Sequence, residues 1–210
     1  SSSADFALIG AEDMYWTRFY IVRTDGASPL RADAAFDDAL IARVRLLMPP
    51  KLALGILRTL VALGVLSPPK GDIAQEAQHL GHRADVMPSV NAIARLLAQK
   101  PTYNPAMVNF LRYNANGGAA AYRKYGMVAL RTVYRTGGAL LFYARVLEIV
   151  REANAGPTLG AWDDLAAMRY PNPSAILSME HAPDYRDALH HRDEGLAATV
   201  VIASHELPHA

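Results

Sequence analysis

Residues 106–113 read AMVNFLRY, residues 139–150 read ALLFYARVLEIV and residues 196–203 read LAATVVIA. Each stretch is rich in β-branched, aromatic and aliphatic residues and is bounded by turn residues, so each predicts a strand. Residues 161–170 predict a further strand, antiparallel to the one before it. Residues 119–135 place apolar side chains three and four apart, which indicates a helix. With a proline-opened helix before the last strand, the order is strand, helix, strand, strand, helix, strand, the ferredoxin-like arrangement.

The first half of the chain predicts helices after one early strand. The strand covers residues 15–23, YWTRFYIVR, and is followed by an Asp-Gly turn. Prolines separate the predicted helices, which cover residues 33–47, 52–66, 72–80 and 89–100. We therefore predict an α+β fold with three parts, namely a mostly helical N-terminal extension over residues 1–103, a ferredoxin-like domain over residues 104–204 and a tail over residues 205–210.

Residues 52–66, LALGILRTLVALGVL, are apolar almost all the way round a helix. A helix of this length measures roughly 22 Å, which is short of the roughly 30 Å hydrocarbon core of a membrane. We favour a helix that is buried in the protein. The alternative is a helix that contacts a partner protein or a membrane surface.

Composition excludes several classes of site. The 210 residues include no cysteine, which excludes disulfides, thiolate zinc sites and cysteine nucleophiles. The net charge is +1, from 21 basic and 20 acidic residues, so the chain lacks the basic field of a general nucleic-acid binder. The N-terminal sequence SSSA has neither the basic region nor the apolar core of a signal peptide. We expect a cytoplasmic protein, or a periplasmic one if this N-terminus is a processed one.

Metal and nucleotide sites receive little support from the sequence. His79, His82 and Asp85 are spaced three apart, but Gly81 interrupts the helix that would bring them together. These residues therefore predict a solvated surface. Neither a G-x-G-x-x-G nor a G-x-x-x-x-G-K-S/T phosphate loop is present in the sequence. We predict no metal and no cofactor.

The second half also carries an ordered series of motifs: MVNFL (107–111), GGALLFYARV (137–146), WDDLAAMRYPNPSAI (162–176), APDYRDALHHR (182–192) and TVVIA (199–203). This series resembles an uncharacterised bacterial family of small ferredoxin-like domains in the dimeric α+β barrel superfamily, over about residues 105–204. The resemblance implies a homodimer with a ligand cavity under the sheet. Monooxygenases, polyketide cyclases and haem-degrading enzymes belong to that superfamily, so the resemblance implies a fold more than a reaction. Residues 1–100 depart from the pattern, and the extension is a candidate substitute for the partner subunit.

Three residues predict a ligand pocket from their own chemistry. Asn109 lies in mid-strand on an apolar face that also carries Tyr113, and a buried amide needs a hydrogen-bond partner. Tyr125 is placed to meet this region from the following helix. Packing of both tyrosines in the core is the alternative. The resemblance adds Trp162 and Tyr185 as candidate ligand-binding residues, with packing anchors as their alternative role.

The helix that begins at Pro183 ends in His190, His191 and Arg192. The resemblance implies a basic residue at this helix end, and Arg192 fits that position as an anchor for a carboxylate or another anion. An ion pair that caps the helix is the alternative. His191 is a candidate acid or base because histidine titrates near neutral pH. Consecutive helical residues diverge by about 100°, so His190 and His191 cannot both line one pocket.

Three functional hypotheses follow from these residues. The leading one is a small-molecule cavity protein that binds an apolar or aromatic metabolite, with a cofactor-independent monooxygenase or cyclase-like enzyme as its catalytic form. The alternative is a non-catalytic interaction module that docks a partner or a membrane surface through helix 52–66. The third is a haem-binding or haem-degrading protein, with His181 or His191 as the axial ligand. We expect a homodimer and no nucleic-acid partner.

Overall fold

The computed structural model describes residues 1–10, 16–23, 36–70 and 83–206. Its strands are β1 (Ser2–Ile9), β2 (Arg18–Phe19), β3 (Ile41–Leu46), β4 (Ala106–Tyr113), β5 (Ala139–Arg151), β6 (Asp164–Arg169) and β7 (Leu196–Glu206). The α-helices of the described residues are α1 (Lys51–Ala62), α2 (Val90–Leu97), α3 (Gly118–Arg135), α4 (Pro173–Leu177) and α5 (Pro183–Gly195). Short 3₁₀ helices lie at Ala84–Val86 and Ser178–His181.

All seven described strands belong to one curled, half-barrel sheet. Their order is β2-β1-β7-β4-β6-β5-β3, and each neighbouring pair is antiparallel. Strand β4 lies in the middle of the sheet, where Asn109 is opposite Val201 of β7 and Ala166 of β6. The middle strand of the sheet therefore carries Asn109 and Tyr113, two of the residues that the sequence predicts to line a pocket.

The predicted fold class, a ferredoxin-like domain with a mostly helical N-terminal extension, is wrong. The first half of the chain adds strands at both ends of the sheet, with β1 and β2 beyond β7 and β3 beyond β5. Residues 33–47 were expected to be helical, yet Ile41–Leu46 is a strand that pairs with β5. An ion pair between Arg43 and Glu148, at 2.8 Å, joins these two strands. Pairing with β5 overrides the local helical pattern in this segment.

Other predicted elements agree more closely with the structure. The strand over 106–113 has the predicted bounds, and the helix over 119–135 begins one residue earlier. Ser89 caps α2 as expected, because its hydroxyl accepts a hydrogen bond from the backbone N–H of Ala92 at 3.1 Å. The early strand over 15–23 shortens to Arg18–Phe19, and the helix over 72–80 lies outside the described residues. His205 and Glu206, which were assigned to the tail, continue β7.

The two faces of the sheet are covered by different parts of the chain. Helices α3 and α5 cover one face, which we call the helix face, over a core that includes Met107 and Leu111. On the opposite face, Phe110 and Trp162 pack with Phe19 from the first half. The Trp16 indole donates a hydrogen bond to the Thr158 hydroxyl at 2.7 Å, which connects this part of the first half to the second half of the chain. The first half therefore supplies a cover for the face that the helices leave open.

Helix α1 confirms the predicted helix but not its burial. None of its residues is buried, and Leu52 is 76% exposed. Its described contacts are mainly with α3, where the Arg58 guanidinium lies 5.7 Å from the centre of the Tyr134 ring. Within the described ranges, no helix has both the length and the hydropathy needed to cross a bilayer.

Close approach of α3 and α5 yields a stability prediction. A side-chain carbon at Gly195 would lie 2.8 Å from the Tyr122 backbone nitrogen and 3.0 Å from the Gly118 carbonyl oxygen. We expect Gly195→Ala to lower the free energy of unfolding by about 1–3 kcal/mol, because the two helices must separate. Urea unfolding followed by circular dichroism measures this change.

Gly126→Ala is the matched control for this helix contact. A side-chain carbon at Gly126, in the middle of α3, would meet nothing within 4 Å. This variant should gain about 0.5–1 kcal/mol from helix propensity. Equal effects of the two substitutions would contradict the close contact between α3 and α5.

Candidate functional site

A row of tyrosines lies between the sheet and the helices on the helix face. Tyr113 ends β4, and alternation along the strand directs it to the same face as Met107. Tyr122 and Tyr125 are three residues apart on α3, so they share one side of that helix. Ring centres are 5.4 Å apart for Tyr113 and Tyr122, 5.3 Å for Tyr122 and Tyr125, and 5.8 Å for Tyr125 and Tyr185. These tyrosines form a continuous aromatic wall, which we call the tyrosine row.

Arg192 of α5 lies beside the tyrosine row, next to Tyr125. Its side chain is buried, with 7% exposure, and its guanidinium carbon is 5.8 Å from the centre of the Tyr125 ring. Its Nη1 atom donates to the Met87 sulfur at 2.8 Å. The hydroxyls of Tyr125 and Tyr185 are 3.0 Å apart beside it. A cation is therefore enclosed by aromatic rings and a thioether.

Within the part of the chain that the structure describes, Arg192 forms no ion pair with a carboxylate. Burial lowers the pKa of its guanidinium, whereas the neighbouring oxygens of Tyr125, Tyr185 and Tyr122 and the carboxylate of Asp193 raise it, and the resulting pKa lies above its ordinary value. The group therefore stays charged at all physiological pH values. A buried charge that forms no ion pair costs several kcal/mol, which makes Arg192 a candidate for a functional role.

A buried carboxylate forms the second polar group of the site. Asp164, with 0% exposure, accepts hydrogen bonds from the hydroxyls of Tyr113, at 2.7 Å, and Tyr143. The Nε atom of Arg145 donates to the other oxygen of this carboxylate at 3.1 Å. Asp164 is thus fully paired, in contrast to Arg192.

Both hydroxyls that donate to Asp164 are hard to ionise. Burial raises the pKa of Tyr143 to about 12, and the hydrogen bond to the Asp164 carboxylate adds to this rise. Burial also raises the pKa of Tyr113 well above its usual value, and the contacts of its hydroxyl with Tyr143 and Asp164 raise it further. Near neutral pH these tyrosines are hydrogen-bond donors rather than bases.

The structure brings together most, but not all, of the predicted site residues. Tyr113, Tyr125 and Tyr185 lie in the tyrosine row, and Arg192 lies beside it. Asn109 is buried in β4, where its side-chain amide donates to the Met107 carbonyl at 2.8 Å. Its amide nitrogen is therefore already used within the protein.

Trp162 and the histidines lie elsewhere. The Trp162 ring packs against Phe110 on the opposite face, and its indole donates to the Thr158 carbonyl at 2.7 Å. The His191 ring contacts the His190 ring at a tilt of 46°, with ring centres 3.8 Å apart, and its Nδ1 atom is 3.5 Å from the Glu194 carboxylate. The buried His181 lies in the 3₁₀ segment before α5.

Sequence reasoning missed Tyr143 and Asp164 as members of this site. The available signal was the acidic pair Asp163-Asp164 at the start of an otherwise apolar strand, because a buried carboxylate requires donors. His79 and His82 lie outside the described residues. Among the residues that are described, no group of three or more His, Asp or Glu side chains is placed to hold a metal ion.

Comparison with known proteins shows a likeness of fold over part of the chain. The crystal structure of RPA0582, a protein of unknown function from Rhodopseudomonas palustris, has 24% identity and a TM-score of 0.51, and the match covers 59% of this chain and 98% of that one. The structure of the methylated RPA0582 protein has 25% identity and a TM-score of 0.50, over 59% of this chain and 95% of that one. No family model matches the chain, and no curated protein matches it. Function must therefore be argued from the site itself.

The hydroxyls bonded to Asp164 predict a loss of stability at alkaline pH. Tyrosines ionise near pH 10 in the unfolded chain, whereas the folded chain keeps the Tyr143 proton to about 12. Above about pH 10 the folded state binds more protons than the unfolded state, so stability falls as pH rises, by up to about 1.4 kcal/mol per pH unit for each such tyrosine. Urea unfolding over this pH range measures the slope.

Tyr143→Phe should make this alkaline slope shallower, because one titrating hydroxyl is removed. Tyr20→Phe, which removes an exposed hydroxyl, is the matched control and should leave the slope unchanged. An unchanged slope in Tyr143→Phe would contradict the raised pKa of Tyr143 in the folded chain.

Proposed function

We propose that the protein binds a small aromatic or apolar metabolite that carries an anionic group, on the helix face of the sheet. The observation that supports this proposal is the buried Arg192 guanidinium, which has no carboxylate partner among the described residues. An anionic ligand would provide the opposite charge. The folded chain already buries the Arg192 charge, and a bound anion would offset the free-energy cost of that burial.

Arg192 suits a carboxylate, a phenolate or an enolate. A guanidinium presents five N–H donors in a planar fork, and the structure assigns one of its hydrogen bonds to a sulfur, which is a weak acceptor. Charge-assisted bonds from this fork to ligand oxygens would be much stronger. The anionic group is thus the part of the ligand that we assign to Arg192.

The aromatic part of the ligand is assigned to the tyrosine row. Tyr122, Tyr125 and Tyr185 present ring surface beside the guanidinium, and ring–ring contacts add to the burial of apolar area. The hydroxyls of Tyr125 and Tyr185 are 3.0 Å apart and supply polar contacts next to the rings. Rings and a few convergent polar groups are the usual lining of a small-molecule site.

A catalytic form of this proposal is a cofactor-independent monooxygenase or cyclase-like reaction. Arg192 would then stabilise the enolate or phenolate charge that develops on the substrate. His191 is a weaker choice of acid or base, because it is on a different side of α5 and close to the Glu194 carboxylate. The homodimer and the cytoplasmic location stay predictions from the sequence.

Replacement of Arg192 by methionine tests the proposal. Without ligand, we expect Arg192→Met to keep or raise the free energy of unfolding, because an apolar side chain of similar size replaces a buried charge. For the tightest binder among benzoate, salicylate and 4-hydroxybenzoate, calorimetry should show a loss of affinity of about tenfold or more. A purely structural role for Arg192 predicts the reverse pattern, a loss of stability with no change in affinity.

Arg95→Met is the matched control for this experiment. Arg95 is exposed on α2, and its guanidinium carbon lies 5.8 Å from the Phe6 ring centre, so it is another arginine that contacts an aromatic ring. Its replacement should leave the affinity for the aromatic carboxylates unchanged. Equal affinity of the wild type and Arg192→Met would refute the assignment of the anion to Arg192.

A further inference from the structure

Helices α1 and α3 expose a group of large apolar side chains, which we call the apolar surface. Its members are Leu52 (76% exposed), Ile56 (53%) and Leu63 (72%) of α1 and its C-terminal cap, and Met127 (66%) of α3. Scattered apolar residues are normal on a protein surface, whereas a contiguous group indicates an interaction site. Whether this group marks an interaction site therefore depends on how its four side chains are arranged on the two helices.

Helical geometry places the three α1 residues on one line. With about 100° per residue, Leu52, Ile56 and Leu63 fall within about 40° of one another around the axis. Thr59 lies on the same side, and its hydroxyl donates to the Gly55 carbonyl at 3.0 Å, so its polar group is already satisfied. The opposite side of α1, which includes Leu57, is partly covered. One continuous stripe of α1 is therefore apolar and faces outward.

The two helices that carry the apolar surface contain basic and no acidic residues, although Arg131 and Arg135 of α3 form ion pairs with Asp184 of α5. The sequence from residue 39 to residue 71 contains five basic and no acidic residues. Helix α3 contains no acidic residue either. Lys51 and Arg58 are exposed on α1, roughly 120–140° around the axis from the centre of the stripe, and Arg123 and Lys124 are exposed on α3. The two helices that carry the apolar surface thus expose positive charge.

Helix α3 contacts α1 on the side that carries Arg58, roughly 140° around the α1 axis from the centre of the stripe. Arg58 of α1 lies over the Tyr134 ring of α3, at 5.7 Å. Spacings of four, three and four place Arg123, Met127 and Leu130 on the same side of α3 as Tyr134. The α3 side that contacts α1 therefore continues into an exposed methionine and an exposed arginine.

We propose that the apolar surface docks the protein on an anionic lipid bilayer, with α1 lying flat in the interface. At about 1.5 Å per residue α1 is about 18 Å long, too short to span the membrane but suited to lie along it. The apolar side chains would enter the acyl region while the lysines and arginines of the two helices contact anionic headgroups. A second copy of the chain fits less well, because it would bring two positively charged surfaces together.

This docking is independent of ligand binding at Arg192 and is tested with vesicles. The full chain is mixed with vesicles of phosphatidylglycerol and phosphatidylcholine in equal parts, or of phosphatidylcholine alone, and the bound fraction is measured by flotation. We expect binding to the anionic vesicles, weakened by added salt. The double variant Leu52→Ser, Ile56→Ser should lower the partition coefficient by about tenfold or more.

Two matched controls separate docking from general surface effects. Val90, which is 81% exposed on α2, provides Val90→Ser as a loss of exposed apolar area elsewhere. Lys124→Glu should weaken vesicle binding severalfold, whereas Lys100→Glu, a charge reversal at another exposed lysine, should not. Circular dichroism confirms that each variant is folded, as expected for exposed positions.

Several outcomes would overturn this proposal. If the wild-type chain does not bind anionic vesicles, the proposal is wrong and a protein becomes the expected partner of the apolar surface. If the double variant binds the vesicles as strongly as the wild type does, α1 is not the element that docks on the membrane. A wild-type dimer that the double variant converts to a monomer, without vesicle binding, assigns the surface to a second copy.

Discussion

Strand β7 lies between β4 and β1, so backbone hydrogen bonds join the two ends of the chain within one sheet. Ser2 is opposite Glu206 in this pairing. A sheet held in this way has two apolar faces to cover. Helices α3 and α5 cover one face, and residues 16–23 and 36–40 contribute to the cover of the other. The enclosed helix face then sets the position of the tyrosine row and of Arg192.

The second half of the chain was the more predictable part because its signals are local. Strand β4 is a nearly continuous apolar run that is buried on both faces, and glycines and prolines mark where the elements end. Strand β1 gives little local signal, since SSADFALI begins with small polar residues and becomes a strand through pairing with β7 at the far end of the chain. Strand β3 resembled a helix because Leu40, Val44 and Leu47 also fit a helical spacing, and only the partner β5 decides between the two. The missing strands are the reason that the predicted fold class failed.

The candidate site was predictable in part for the same reason. The family resemblance singled out Arg192 at its helix end as a candidate anion anchor, and alternation along β4 placed Tyr113 on the helix face. The carboxylate of Asp164 was not predictable, because an acidic residue near a strand end is usually solvated and its burial depends on Tyr143 from another strand. The contrast between the two charges remains informative. Asp164 is stabilised within the protein, whereas Arg192 is buried and forms no ion pair among the described residues.

Native mass spectrometry of the gently purified wild-type chain, followed by a denaturing measurement, tests most directly whether Arg192 holds a bound anion. The account predicts an extra mass on the native protein that is absent after denaturation, belongs to an aromatic or apolar anion, and is missing from Arg192→Met. A wild-type chain that carries no such ligand and binds none of the aromatic carboxylates, or an Arg192→Met variant that retains the extra mass, would contradict it.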